Sequence, residues 1–476
     1  MSSNAKRLLL LAGFSLVTGC ATSGISIEPE AMVLPQRWQT ASDSAAVVPG
    51  WLDEMADPAL SGLVAEALSN NHQLAAQRAL VRQSEQGLIV AGADRYPALD
   101  LSLDASRSRQ AVDRAAGGAQ TSYGIGLDLG WELDLWGKLS DGERQARLTL
   151  GARQAELDAT RLDLARDLAS AWYELLATAQ QLALFSRRLH NLEQNLEVIE
   201  SGYRLGLGSA LDVYLARNDV ESERARVEEQ TQLRDEATRN LQRLLGRYPD
   251  GRWTQLPALP MLETSVSAGV PAELLRRRPD LRSAWMDLMA SDAALAIAHK
   301  QRFPSLQLRA GVADETGRLP DLLEGGLAWS LAAGLTQPLF SAGRLKATEA
   351  QARARVEELE KRYLDEVFTA FGEVENRLSR TEALQAQYGQ YQQAERNALL
   401  AEELAFEQYR KGLVEYSTVL EAQRRSLDAQ NAVIVTRRDL LQNRVALYRA
   451  LGGALYADTR VAQGDEPESR LQAAVE

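Results

Sequence analysis

The chain has 476 residues, 45% of them hydrophobic and 25% charged, with a formal net charge of −12. That length allows two or three ordinary domains, and the acidic balance argues against nucleic-acid binding, which needs a basic stripe. No apolar run beyond the N-terminus reaches the ~18 to 20 residues of a spanning helix, so a membrane passage by this chain would use strands.

Lys6 and Arg7, followed by the apolar run 8–17, form a secretion signal. Val17-Thr18-Gly19-Cys20 then resembles a bacterial lipobox, in which small residues admit the peptidase and the cysteine thiol is acylated. Residues 1–19 are read as the signal peptide and 20–56 as a lipidated linker, anchored at Cys20. Each acyl CH₂ buried in lipid contributes roughly 0.8 kcal/mol. Cys20 is the only cysteine, so no intrachain disulfide forms. Ala21 follows it where an aspartate would imply retention at the inner membrane; the pattern implies outer-membrane sorting.

The remainder is one unit written twice. Arg95-Tyr96-Pro97-Ala98-Leu99 matches Arg302-Phe303-Pro304-Ser305-Leu306, and Tyr203-Arg204-Leu205-Gly206-Leu207 matches Tyr409-Arg410-Lys411-Gly412-Leu413. Leu244-Leu245-Gly246 meets Ala450-Leu451-Gly452 in the same register. The copies are placed at 57–255 and 270–456, with a Pro-rich link at 256–269 and a polar tail at 457–476 expected to be disordered.

Each copy reads helix, strand, strand, long helix, helix. The first helix is expected from Asp57 to Arg95, stopped by Pro97. From Leu139 to Tyr203 there is no proline. Leu168, Leu175, Leu182, Leu189, Leu196 and Tyr203 recur every seventh residue, beside Leu164, Ala171, Thr178, Phe185, Leu192 and Ile199. Two heptad series offset by four make a coiled-coil seam. At 1.5 Å per residue this helix is about 95 Å long. Its counterpart is expected from Leu345 to Tyr409.

The strands alternate. Tyr123, Ile125, Leu127, Leu129, Trp131, Leu133 and Leu135 are separated by Gly124, Gly126, Asp128, Gly130, Glu132 and Asp134. Leu99, Leu101, Leu103 and Ala105 alternate with Asp100, Ser102, Asp104 and Ser106. Copy two repeats this more weakly through Leu306–Val312 and Leu327–Leu335. These lengths suit transmembrane strands of ~9 to 11 residues. Tyr96, Tyr123, Trp131, Trp136, Phe303 and Phe340 sit near strand ends, where membrane interfaces favour aromatics. The polar connections 107–121 and 314–326 suit the outer face. Four strands cannot close a barrel, and an open edge in lipid costs several kcal/mol per unpaired group. Two copies would supply eight strands and a filled lumen, three would supply twelve and leave space. The acidic face carrying Asp100, Asp104, Asp128, Glu132 and Asp134 favours a hydrated lumen and hence three.

Several stretches resemble the TolC-like outer membrane factor family, in its lipidated multidrug-efflux, NodT-like branch. The resemblance rests on the lipobox at Cys20, on Arg277-Arg278-Pro279-Asp280-Leu281, on Trp131-Glu132-Leu133-Asp134-Leu135-Trp136-Gly137-Lys138 and on its mate Gln337-Pro338-Leu339-Phe340-Ser341-Ala342-Gly343-Arg344. It covers nearly the whole mature chain. It implies an α+β membrane protein, a homotrimer sharing a twelve-stranded β-barrel, with four transmembrane strands per protomer and a periplasmic tunnel of antiparallel coiled-coil helices. It further implies the exit duct of a tripartite pump, with a periplasmic adaptor and an inner-membrane transporter of the resistance-nodulation-division type as partners.

The resemblance also assigns residues. Its adaptor-docking turns fall on Gly206, Leu207, Gly208, Gly412 and Leu413; local chemistry alone makes these glycines helix C-caps. Its acidic pore constriction falls on Asp212 and Glu421, with Tyr409 and Arg410 tying neighbouring helices shut. Three carboxylates around one axis repel anions and attract cations. Read locally, Asp212 is a helix N-cap and Glu421 a solvated surface charge.

No chemistry of catalysis emerges. Gly130–Lys138 has the wrong spacing for a phosphate loop, with Leu139 where Ser or Thr is required. His72, His190 and His299 lack metal-ligand spacing, so neither metal nor cofactor is expected. Two other readings remain open: a duct for secreted protein, and a periplasmic coiled-coil lipoprotein without a pore.

Overall fold

A computed structural model of the chain describes residues 35, 37–40, 50–109, 119–261 and 269–455. The signal segment, Cys20, most of the 20–56 linker and all of the 457–476 tail lie outside the described residues. In chain order the elements are α1 (Trp51–Glu54), α2 (Pro58–Asn70), α3 (His72–Ala93), β1 (Ala98–Ser108), β2 (Gln120–Leu133), α4 (Lys138–Arg204), α5 (Ala210–Leu244), α6 (Leu274–Arg277), α7 (Pro279–Lys300), β3 (Ser305–Thr316), β4 (Ala328–Thr336), α8 (Arg344–Arg410) and α9 (Tyr416–Ala450). Short 3₁₀ turns occupy Pro271–Glu273 and Leu319–Asp321. No described helix is long and apolar enough to cross a membrane. The elements fall into two compact units, one taking in 85–150 and 286–361, the other 35–84, 151–285 and 362–476.

The first unit holds a four-stranded antiparallel sheet in the order β1-β2-β3-β4. Its register explains the alternation. Leu101 faces Leu127, Leu127 faces Val312, and Val312 faces Trp329. Side chains paired across strands share a face, so the leucines and Trp329 of all four strands gather on one side. Asp100, Asp128, Gly311 and Ser330 line up on the other. The apolar side is open: Leu101 is 67% exposed and Leu331 74%. β3 reaches Thr316, further than the polar connection expected from 314, because Asp314, Glu315 and Thr316 still pair with Ile125, Gly124 and Tyr123 of β2; Asp314 Oδ2 also accepts from the Leu323 N–H (2.6 Å).

The Trp-Gly-Lys stretch is the corner from β2 into α4. Gly137 takes φ +74°, and Asp134 caps the helix by accepting from the Leu139 and Ser140 N–H groups (3.0 and 2.8 Å). Trp136 Nε1 donates to Pro304 O (2.6 Å), and Lys300 reaches Asp141 (2.5 Å). Arg95 pairs with Glu143 (2.5 Å) below β1. Leu288, Leu295 and Val356 form this unit's small helical core.

The second unit is helical. α4 buries Leu164, Leu168, Ala171, Leu175, Thr178, Phe185, Leu192 and Ile199. The companion heptad series is therefore the one that faces this chain's own helices throughout. Of the leucine series, Leu182, Leu189 and Leu196 are only half-buried. Trp51 stacks on Tyr448 (5.8 Å, 14°), whose hydroxyl donates to Glu54. Trp172 Nε1 donates to Asp57 (2.9 Å), the residue that also caps α2.

The first helix is not continuous as expected. It breaks at Asn71, whose backbone is extended. Asn71 Oδ1 accepts from the Leu74 N–H (3.0 Å), starting α3, while Nδ2 donates to Leu244 O (2.9 Å). A side chain that serves two backbone groups offsets the lost helical bond.

Candidate functional site

Two turns carry the candidate residues, and both belong to the helical unit. α4 ends at Arg204 with Gly206 at φ +75°, where the Leu207 N–H donates to Gly202 O (2.9 Å) and the Gly206 N–H to Tyr203 O (3.0 Å). α8 ends at Arg410 with Gly412 at φ +71°, where Leu413 and Gly412 donate to Gln408 and Tyr409 (3.0 and 2.9 Å). These paired bonds define a Schellman turn, and its left-handed position favours glycine. A Cβ at Gly206 or Gly412 would meet nothing within 4 Å. Only the backbone angle demands glycine there, and the turns stand free.

What the turns present is apolar. Leu207 is 81% exposed and Leu413 70%, with Tyr203, Leu205, Leu211 and Tyr214 also exposed nearby. Gly208 leads into Ser209, whose Oγ accepts from the Leu211 N–H (3.0 Å). Ser209 is thus the N-cap of α5, and Asp212 stands in the first turn behind it. The local reading of Asp212 as the cap does not hold, because the shorter hydroxyl side chain takes the cap position. Asp212 keeps the favourable interaction of an anion with a helix N-terminus.

Asp212 and Tyr409 come together. Burial, and then the Asp212 charge, push the Tyr409 hydroxyl above its ordinary pKa. Tyr409 also packs on Tyr416 (5.4 Å), which is buried with Ile199, Val213, Ala216, Ala405 and Val419. This core holds α4, α5, α8 and α9 together behind the two turns. Glu421 behaves differently. It accepts from Arg425 (2.6 Å) and Arg424 (3.0 Å), and those bonds hold its carboxyl below the usual range. Arg410 is exposed at the last residue of α8.

Two clusters went unread in the sequence. Arg278, 4% exposed, donates to Asp280 (2.5 Å) and Glu373 (2.6 Å), and Arg449 pairs with Asp163 (2.8 Å) beside them. This accounts for the Arg-Pro-Asp stretch: it ties α4, α7, α8 and α9 together. The other cluster joins Arg188 of α4 to Glu223 of α5 (3.2 Å) and to Gln423 O of α9 (2.8 Å). Among the described residues no group of three or more His, Cys, Asp or Glu is placed to hold a metal ion.

The family model of outer membrane efflux proteins matches residues 63–247 and 270–453. The chain is 30% identical over 465 residues to the pyoverdine export outer membrane protein OpmQ of Pseudomonas aeruginosa, covering 95% of this chain and 98% of the relative. It is 30% identical over 475 residues to the toluene efflux pump outer membrane protein TtgC of Pseudomonas putida, covering 95% and 97%. Among solved structures, the outer-membrane channel OprN superposes with a TM-score of 0.82 at 25% identity, covering 90% of this chain and 98% of that one. Matched in both copies and along almost its whole length, the chain belongs to the outer membrane efflux protein family.

Proposed function

We propose that this chain is the exit duct of a tripartite efflux pump, passing small organic molecules passively from periplasm to exterior and catalysing nothing itself. The observation that carries this reading is the sheet. It offers lipid one exposed leucine-rich face, and among the described residues β1 pairs only with β2 and β4 only with β3. Two free edges in a bilayer are prohibitively costly. Three copies joined edge to edge give twelve strands with no free edge and a lumen bearing Asp100, Asp104 and Asp128. The chain thus works as a homotrimer in the outer membrane, held also by acyl chains on Cys20. The repeats at 57–255 and 270–456 are its two halves, between the 1–19 signal, the 20–56 linker, the 256–269 link and the 457–476 tail.

The exposed leucines at Gly206-Leu207-Gly208 and Gly412-Leu413 support docking of a periplasmic adaptor, which joins the duct to an inner-membrane transporter of the resistance-nodulation-division type. Asp212 and Glu421, with Tyr409 and Arg410, form the constriction behind those turns. The names of its relatives, a pyoverdine export protein and a toluene efflux pump component, support a cargo of small organic molecules. Purified protein reconstituted in planar bilayers should give discrete single-channel currents, and deletion of the gene should raise sensitivity to antibiotics and dyes. A folded monomer that remains dispersed in water without detergent would overturn the reading.

A further inference from the structure

The Arg188 cluster leaves buried acceptors unpaired, and Arg188 Nε and the Tyr416 hydroxyl are buried without a hydrogen bond beside them. Asp219 and Glu223 lie one turn apart on α5, and Glu223 is 2% exposed. Arg188 stands 3.2 Å from Glu223 Oε2, and the half-exposed Arg226 stands 3.6 Å from the same oxygen. Asp219 Oδ2, Glu223 Oε1 and Gln423 Oε1 are all buried and accept no hydrogen bond within the described structure. Gln423 is itself 6% exposed. Tyr416, 1% exposed on α9, has a buried hydroxyl that makes no hydrogen bond and feels the charges of Asp219, Arg188, Tyr409 and Asp212. Leaving such groups unpaired is expensive. One proton on either carboxyl converts an unpaired acceptor into a donor.

We propose that Asp219 and Glu223 form a proton-binding site, one proton shared by the half-buried Asp219 and the buried Glu223, and that its occupancy sets how firmly α9 is held to α4 and α5 behind the turns. A metal cation is the poorer ligand, because the Arg188 guanidinium already stands against Glu223. The mechanical link is explicit: Arg188 bonds α5 through Glu223 and α9 through Gln423 O. When the proton leaves, two carboxylates one turn apart on α5 repel and compete for the part-buried Arg188, and the link loosens. Burial raises both carboxyls above their ordinary values, against the opposing pull of Arg188 and Arg226. A raised group stabilises the packed form fully in acid and loses that contribution as pH rises through the raised value. The closed tip is therefore firmest in mild acid and loosens toward alkali.

The effect on conduction rests on the duct reading; the proton itself does not. Full-length protein in planar bilayers should spend less time closed as pH rises, and E223Q, which is permanently uncharged, should lose that dependence and remain closed at the alkaline end. D219N is the second variant should E223Q fail to assemble. Infrared difference spectra of the wild-type protein across the same pH range should show the carbonyl stretch of a buried carboxylic acid, lost in at least one of the two variants. A wild-type pH profile retained in both variants, or a titrating carbonyl band unchanged in both, would overturn the proposal. Absence of any current at every pH counts against the duct alone, because the infrared band still decides whether the proton is there.

Discussion

Asn71 and Arg278 stand at the same place in the two copies and brace the same kind of turn with different chemistry. Asn71 Nδ2 donates to Leu244 O at 2.9 Å, and Arg278 Nη1 reaches Ala450 O at 3.5 Å. Each carbonyl lies just ahead of a left-handed glycine, Gly246 at φ +74° and Gly452 at φ +66°. With the turns at Gly206 and Gly412, these make four left-handed glycine turns in two classes. At Gly246 an added Cβ would lie 2.6 Å from Asn70 O, and at Gly452 2.8 Å from Arg277 C. At the other two it meets nothing.

Alanine scanning should separate those classes. G206A and G412A should each cost about 1–2 kcal/mol, the penalty of a left-handed alanine. G246A and G452A add a clash with backbone that cannot swing aside, so their melting temperatures in detergent should fall further. Equal losses at all four positions would contradict the close approach of Asn70 and Arg277.

The two braces should also differ in strength. N71A removes hydrogen bonds between neutral groups and should cost about 1 kcal/mol. R278A leaves Asp280 and Glu373 with only Arg449 nearby, at 3.5 and 3.3 Å. Breaking a buried pair costs roughly 3–5 kcal/mol, and the part-exposed Glu373 places this one toward the low end. Denaturant unfolding of the solubilised protein should rank R278A well below N71A.

Charge at the proposed constriction can be apportioned by selectivity. Glu421 is matched by two arginines on its own helix, whereas Asp212 forms no ion pair among the described residues and its charge acts on the Tyr409 hydroxyl. D212N should therefore reduce cation preference in planar bilayers more than E421Q does. Y409F should raise closed-state leakage while leaving selectivity unchanged, since it removes a hydrogen-bonding group and no charge. A larger selectivity change in E421Q than in D212N would show that the arginines do not screen Glu421.

The strands were readable because lipid and water impose a period of two that a single sequence displays in full. Leu101 and Leu127 each announced their face, but not that β2 would pair with β3 across the repeat boundary, since strand order depends on contacts between copies. The long helices were readable from their unbroken heptads. The break at Asn71 was not, because it arises from a carbonyl on Leu244 distant in sequence. At the tip, Gly206 and Gly412 carry a local signal, a φ only glycine adopts cheaply. Arg188 and Glu223 carry none: each is an ordinary charged residue on a helix, and only the packing of α4, α5 and α9 removes both from water.

The sheet register makes a face-specific claim that neighbouring residues can test. Leu101 and Ser102 are adjacent on β1 and point to opposite sides, Leu101 with Leu127 and Ser102 with Gly126. An arginine on a lipid face costs about 2–4 kcal/mol near the bilayer midplane, while lumen positions tolerate charge and change selectivity. L101R should therefore lower the yield of assembled protein in outer-membrane fractions several-fold, and L331R, on the same face of β4, should do likewise. S102R should assemble at near wild-type yield but shift ion preference away from cations, because it places a guanidinium beside Asp128 on the acidic face. The reverse pattern, with S102R failing to assemble and L101R inserting normally, would mean that the leucine face looks inward and that strand polarity relative to lipid is inverted.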